Sequence, residues 1–233
     1  MGDFSEHQPD QLLVSDSLVP PREIQCPGTS TVSLDGILNP PLQLREDLKE
    51  GCGGQIWPAG VVLSKYMIEK HASDLQGKTI LELGSGSGLV GLAVAKGCVT
   101  DSPIYITDQM AMFALMQQNI ELNGLNGSVH AALLDWGDAE AVRALPKAKV
   151  ILAADCVYFE PAFPLLISTL ETLLDKDTVC YFCFKKRRKA DIRFLKQAKK
   201  KFDFTEVVDG IDREYCKQER IFLYIIRQRI EKS

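Results

Sequence analysis

The chain has 233 residues, 45% apolar and 25% charged, with a net charge of -4; that is enough for one domain with a sizeable core and too little for two full ones. A weakly acidic balance excludes bulk attraction to nucleic acid, so such a partner would need a local basic patch. The seven cysteines are odd in number and scattered, which suits free thiols in a reducing compartment and argues against a disulfide framework.

Residues 1–10 lack the basic and then apolar runs of a secretory signal, and no apolar stretch reaches the roughly 18 residues of a membrane span, so a soluble, cytoplasmic protein is expected. Residues 1–50 hold six of the eleven prolines (Pro9, Pro20, Pro21, Pro27, Pro40, Pro41) and no sustained helical period. They read as a mobile N-terminal extension with short extended segments, carrying little function. From Ala59 to His71, Val62, Leu63, Tyr66 and Met67 recur at helical spacing and predict an amphipathic helix.

After Gly77, short apolar runs rich in branched residues alternate with helical stretches. Strands are predicted at Thr79–Leu83, Ile104–Thr107, Val129–Leu133, Val150–Ala154 and Val179–Phe184, with helices at Gly88–Lys96, Met110–Leu122, Ala162–Leu174 and Ala190–Lys201. That alternation implies a single α/β domain over 51–233 with a doubly wound, mostly parallel sheet. Two more strand-like runs, Phe204–Val208 and Ile221–Arg227, have no helical pattern between them long enough for a parallel crossover. They make an antiparallel end pair and seven strands in all.

Leu81-Glu82-Leu83-Gly84-Ser85-Gly86-Ser87-Gly88 joins the first of these strands to a helix, where glycines let the backbone turn sharply and a ligand approach the main chain. Gly86 to Gly91 also fits the dinucleotide fingerprint G-x-G-x-x-G, and Asp108, ending the second strand, suits the ribose of NAD or of S-adenosylmethionine equally. Three features favour S-adenosylmethionine. Glu82 occupies the acidic position of an E-x-G-x-G-x-G loop, the last strand is antiparallel, and Asp135-Trp136 follows the third strand, where an acid and an indole can meet an adenine.

Gly51-Cys52-Gly53-Gly54-Gln55-Ile56-Trp57-Pro58-Ala59-Gly60, the glycine loop and Ala153-Ala154-Asp155-Cys156-Val157-Tyr158 together resemble the family 16 protein-lysine methyltransferases from Gly51 onward. Phe163-Pro164-Leu165-Leu166 and Lys185-Lys186-Arg187-Arg188-Lys189-Ala190-Asp191 are most similar to the fungal branch that methylates a lysine of translation elongation factor 1-alpha. The resemblance implies a Rossmann-like class I methyltransferase whose cofactor site is lined by Trp57, Glu82, Gly84, Ser85, Gly86, Gly88, Asp108, Trp136 and Ala154. It also implies that Asp155 and Tyr158 form a catalytic D-x-x-Y motif. The reaction needs no metal. A methyltransferase acting on nucleic acid or a small molecule, and an NAD-dependent oxidoreductase, are the alternatives.

A lysine amine has a pKa of about 10.4, so offering it neutral at pH 7 costs roughly 4.6 kcal/mol, which desolvation and a nearby sulfonium offset. Asp155 would then orient the amine by accepting a hydrogen bond, and Tyr158 would narrow its channel. Cys180-x-x-Cys183 is discounted as a zinc site, because residues i and i+3 of a strand point to opposite faces and no second pair follows. The basic run Lys185–Lys189 reads as solvated charge, a nuclear signal, a nucleic-acid patch disfavoured by poor aromatic interleaving or, at the sheet edge that carries the site, a docking face for the protein substrate. We expect a monomer without stable nucleic-acid binding.

Overall fold

The computed structural model describes residues 28–47 and 52–229. Of the mobile extension expected over 1–50, residues 1–27 and 48–50 lie outside them, as does Gly51 of the glycine-rich run. Two of the expected short extended segments are present, β1 (Gly28–Val32) and β2 (Leu42–Glu46), which form an antiparallel ribbon with Gly28 opposite Glu46. Leu42 and Leu44 project from β2 into the main core beside Leu34 and Leu38.

The predicted helix at 59–71 is α1 (Pro58–His71), opened by a proline at its first position, where a missing N–H costs nothing. The alternating pattern resolves into β3 (Ile80–Leu83), α2 (Leu89–Gly97), β4 (Ile104–Asp108), α3 (Met110–Leu122), β5 (Val129–Leu133), α4 (Ala139–Ala144), β6 (Val150–Ala154), α5 (Phe163–Leu173), β7 (Val179–Lys185), α6 (Lys189–Ala198), β8 (Phe202–Glu206), α7 (Arg213–Glu219) and β9 (Ile221–Gln228). The strands form one seven-stranded sheet in the order β5-β4-β3-β6-β7-β9-β8. β9 runs antiparallel to both its neighbours and the other ladders are parallel, so the expected mixed sheet is the one observed.

Two short helices, α4 and α7, have no counterpart in the sequence reading. Each is too short to show a helical period, and each is started by an aspartate whose carboxylate accepts backbone N–H groups: Asp138 from Glu140 and Ala141, and Asp212 from Tyr215. β8 begins two residues earlier than predicted, because Phe202 rather than Val208 supplies its buried anchor.

Period-two alternation divides the strand side chains between two cores. Ile80 and Cys183 join α1, α2 and α3 on one face, while Leu81, Leu83, Cys180 and Phe182 join α5 and α6 on the other. Cys180 and Cys183 thus belong to different cores, as their spacing required. Both thiols are free and buried, and burial pushes both well up. Among the described residues no helix is long and apolar enough to cross a membrane. β3 lies between β4 and β6, so the chain reverses its direction of sheet growth there. This opens a crevice at the carboxyl ends of the strands, where open α/β sheets bind ligands.

Candidate active site

The glycine loop leaves β3 at this crevice. Gly84, Gly86 and Gly88 all adopt positive φ (58°, 54° and 85°), a conformation that disfavours any side chain. The space around the first two is filled by protein. A Cβ on Gly84 would lie 2.9 Å from the Trp136 ring and 3.2 Å from the Cys156 sulfur, and one on Gly86 would lie 2.1 Å from the carbonyl oxygen of Gly53. Gly53 therefore closes over the loop, a contact its composition hints at but does not locate.

Glu82 lies beneath the loop, 2% exposed. Its Oε2 accepts from the Gly91 N–H at 2.7 Å and so ties β3 to α2. Burial pushes its carboxyl up to about 8 against the pull of the Gly91 and Val90 N–H groups. Its contacts within the protein are with the backbone that shapes the loop. Ser85 also turns inward: its hydroxyl meets the Met116 sulfur at 3.0 Å, while its N–H donates to Thr107 O at 3.0 Å.

Asp108, at the end of β4, accepts the Gly86 N–H at 2.7 Å and the Gln109 N–H at 2.8 Å. Burial first, and then the charge of Asp135, raise its carboxyl despite these two bonds. A carboxylate offers about four lone-pair sites, so two remain for a ligand. Trp136 is half-buried, packed between Gly84 and the second core, while Asp135 is exposed.

Ala154 ends β6, and Asp155 follows with φ of 53°, a left-handed turn costing roughly 1–2 kcal/mol for a residue with a side chain. That turn aims the carboxylate sideways across the neighbouring strand. Its Oδ1 accepts from Lys185 N–H at 2.9 Å and from Arg187 Nη1 at 3.0 Å, and its Oδ2 accepts from Arg187 Nη2 at 3.2 Å. The fork-on-carboxylate pair is nearly dry, with side-chain exposures of 4% for Asp155 and 18% for Arg187. The guanidinium also lies 4.9 Å from the centre of the Trp57 ring, near enough for a cation–π contact.

This arrangement brings Trp57, Asp155 and the basic run together and leaves Tyr158 more open. Tyr158 is 38% exposed, and its carbonyl accepts from the Arg188 guanidinium. Cys156, inside the same motif, is a structural thiol: it points at Leu83 O at 3.2 Å, and burial holds it well above its ordinary value. Two residues had escaped notice. Arg187 was read only as part of a basic run, and nothing local announces its pairing with Asp155. Buried Asn119, on α3, donates to Ser87 O at 2.8 Å and Arg45 O at 3.1 Å and accepts Arg45 N–H at 2.7 Å, which fastens the β1-β2 ribbon to the glycine loop. Asn123, at the C-terminal cap of α3, grips Gln43 in the same way, and two asparagines four apart at the end of an apolar helix are a signal for both.

A glycine loop at the switch point, an acid ending the next strand and an antiparallel penultimate strand in the sheet define the Rossmann-like methyltransferase class. Solved structures share this fold. The Thermus thermophilus 16S rRNA N2 G1207 methyltransferase RsmC matches with a TM-score of 0.57 at 15% identity, over 90% of this chain and 52% of that one. A fibrillarin/Nop5p complex matches with a TM-score of 0.52 at 14% identity, over 81% and 94%. A family described as lysine methyltransferase matches residues 37–201. Protein-lysine N-methyltransferase EFM6 of Saccharomyces cerevisiae is 38% identical over 231 residues, covering 89% of this chain and 94% of that protein. Protein N-lysine methyltransferase METTL21A of Danio rerio is 32% identical over 216 residues, again 89% and 94%. The chain belongs to the lysine methyltransferase family. It is a protein-lysine methyltransferase that uses S-adenosylmethionine.

Proposed function

We propose that the enzyme methylates a lysine of translation elongation factor 1-alpha in the cytoplasm, acting as a monomer, with Asp155 and Tyr158 at the acceptor and the glycine loop, Asp108, Trp57 and Trp136 at the cofactor. The observation that carries the site assignment is the buried Asp155–Arg187 pair beside Trp57, at the carboxyl end of β6. The acceptor assignment rests on the likeness of Phe163–Leu166 and Lys185–Asp191 to the fungal branch, with the 38% identity to the yeast protein-lysine methyltransferase in support.

The cofactor fits the groups present. Asp108 has two lone-pair sites left for a ribose diol, and Trp136 offers an indole beside Gly84. Bound there, it supplies a methyl group on a positive sulfonium. The protein's task is then to present a neutral amine in line and keep water out.

A bare carboxylate would work against that task, since an opposite charge within about 4–6 Å holds a lysine in its ammonium form. Arg187 answers this difficulty. By neutralising Asp155 it leaves an acceptor that can orient the amine through the one spare lone pair of Oδ2 without fixing its proton. Trp57 caps the guanidinium and keeps the pair dry, which strengthens the same hydrogen bonds. Tyr158, half-open at the rim, borders the approach of the substrate side chain.

Incubation with purified elongation factor 1-alpha and labelled S-adenosylmethionine, followed by mass spectrometry, tests the acceptor. The expected result is label on a lysine of that protein. Label on another protein of a lysate, with none on the elongation factor, would overturn the acceptor assignment.

A further inference from the structure

Beside the Asp155–Arg187 pair runs a groove of about 260 Å³ lined by Lys186, Arg187, Arg188, Lys189, Ile192 and Arg220. Five of these six residues are cations, on a chain whose net charge is -4. Their internal commitments differ. Arg187 is held by Asp155 and Arg188 by Asp191, while Lys185, outside the groove, is matched by Glu219. No acidic side chain among the described residues pairs with Lys186, Lys189 or Arg220.

The backbone under these three cations is fixed. Lys186 N–H donates to Arg220 O at 2.8 Å, which joins the end of β7 to the turn between α7 and β9. Buried Asp191 accepts the N–H groups of Arg187 and Arg188 at 2.7 and 2.8 Å, which locks the basic run at the start of α6. Arg220 itself sits at φ of 58°, where glycine would be the easier residue, yet it brings a charge to the groove. Lys186 also directly follows the Lys185 N–H that Asp155 accepts. The positive surface therefore begins one residue from the catalytic carboxylate.

We propose that this groove binds an acidic segment of the protein substrate, with carboxylates a few residues from the acceptor lysine pairing with Lys186, Lys189 and Arg220. This rests on the protein-lysine reading of the neighbouring site. It assigns the uncompensated cations to substrate selection and the compensated Arg187 and Arg188 to the architecture of the site.

The test uses two fluorescein-labelled peptides, Glu-Glu-Lys-Glu-Glu and Gln-Gln-Lys-Gln-Gln, titrated by anisotropy against the enzyme with S-adenosylhomocysteine at low salt. Three partly exposed ion pairs acting together should favour the acidic peptide by about ten-fold or more, and added salt should erode that preference. The K186E/K189E/R220E variant should lose the preference while keeping its affinity for S-adenosylhomocysteine. Should that variant fold poorly, K186Q and K189Q singly should each reduce the preference by about two- to five-fold. Equal binding of the two peptides, or an undiminished preference in a folded variant, would overturn the proposal. So would an oligouridylate that binds more tightly than the acidic peptide and is lost in the same variants, which would make the groove a nucleic-acid site. Methylation of lysine with no acidic preference would sink the groove alone. An acidic preference in an enzyme that methylates lysine in the acidic peptide but none in the elongation factor would sink the acceptor reading and leave the groove standing.

Discussion

Replacing Glu82 by glutamine isolates the buried acid beneath the glycine loop. Burial raises its carboxyl from an ordinary 4.5 to about 8 in the folded protein. Between those values the folded state holds a proton that the unfolded chain has released. The contribution of this one group to stability is therefore greatest below about pH 4.5 and falls as pH rises, levelling off above about 8, at a limiting slope of about 1.4 kcal/mol per pH unit. Glutamine does not titrate, so the variant should lack that slope. Urea denaturation of both proteins at pH 5, 6, 7 and 8 measures it directly. The stability gap should shift steadily in favour of the variant as pH rises, by about 1.3 kcal/mol per unit near pH 6. Parallel curves across the range would refute the reasoning. They would show Glu82 ionised in the folded state, held so by the Gly91 N–H and the start of α2.

Gly86→Ala places a Cβ against the Gly53 carbonyl at a positive φ, so binding of S-adenosylhomocysteine measured by calorimetry should weaken ten-fold or more. If Asp108 holds the ribose as proposed, Asp108→Ala removes charge-assisted hydrogen bonds each worth about 1.5–3 kcal/mol and should also weaken the cofactor at least ten-fold. Asp155→Asn should leave cofactor affinity within a few-fold while lowering the single-turnover methylation rate about a hundred-fold; equal loss of cofactor affinity in the Asp108 and Asp155 variants would place Asp155 in the cofactor shell instead. Asn119→Leu strands backbone groups of Arg45 and Ser87 and should lower stability by about 2–4 kcal/mol in urea denaturation, with a matching loss of cofactor affinity as the loop loosens.

The sheet was legible because its central strands β6 and β7 are buried on both faces, so Val150–Ala154 and Val179–Phe184 read as unbroken apolar runs between helical stretches. The glycine loop was legible for a local reason too, since a sharp turn without side chains demands glycine. What escaped was set by contacts distant in sequence. Asp155 meets Arg187 thirty-two residues away, and Asn119 meets Arg45 seventy-four residues away. No spacing rule links such partners. Glu82 was seen as a motif acid, but its contact with Gly91 depends on how α2 folds back over β3, which periodicity does not describe. Short α4 and α7 were hidden for the opposite reason, being too brief for a period and defined by their capping aspartates alone.

The sheet order β7-β9-β8 has a consequence for the order of assembly. β8 emerges from the ribosome before β9 yet has no place in the sheet until β9 fills the gap between it and β7. Until then β7 presents an open edge of unpaired peptide groups, which is a template for self-association. The nascent chain would therefore carry the finished crevice of β3, β4 and β6 while its last parallel strand is still unprotected. Closing of the domain then waits on one hairpin, and a stall between Glu206 and Ile221 during synthesis should leave a chain prone to aggregate though most of its core is already built.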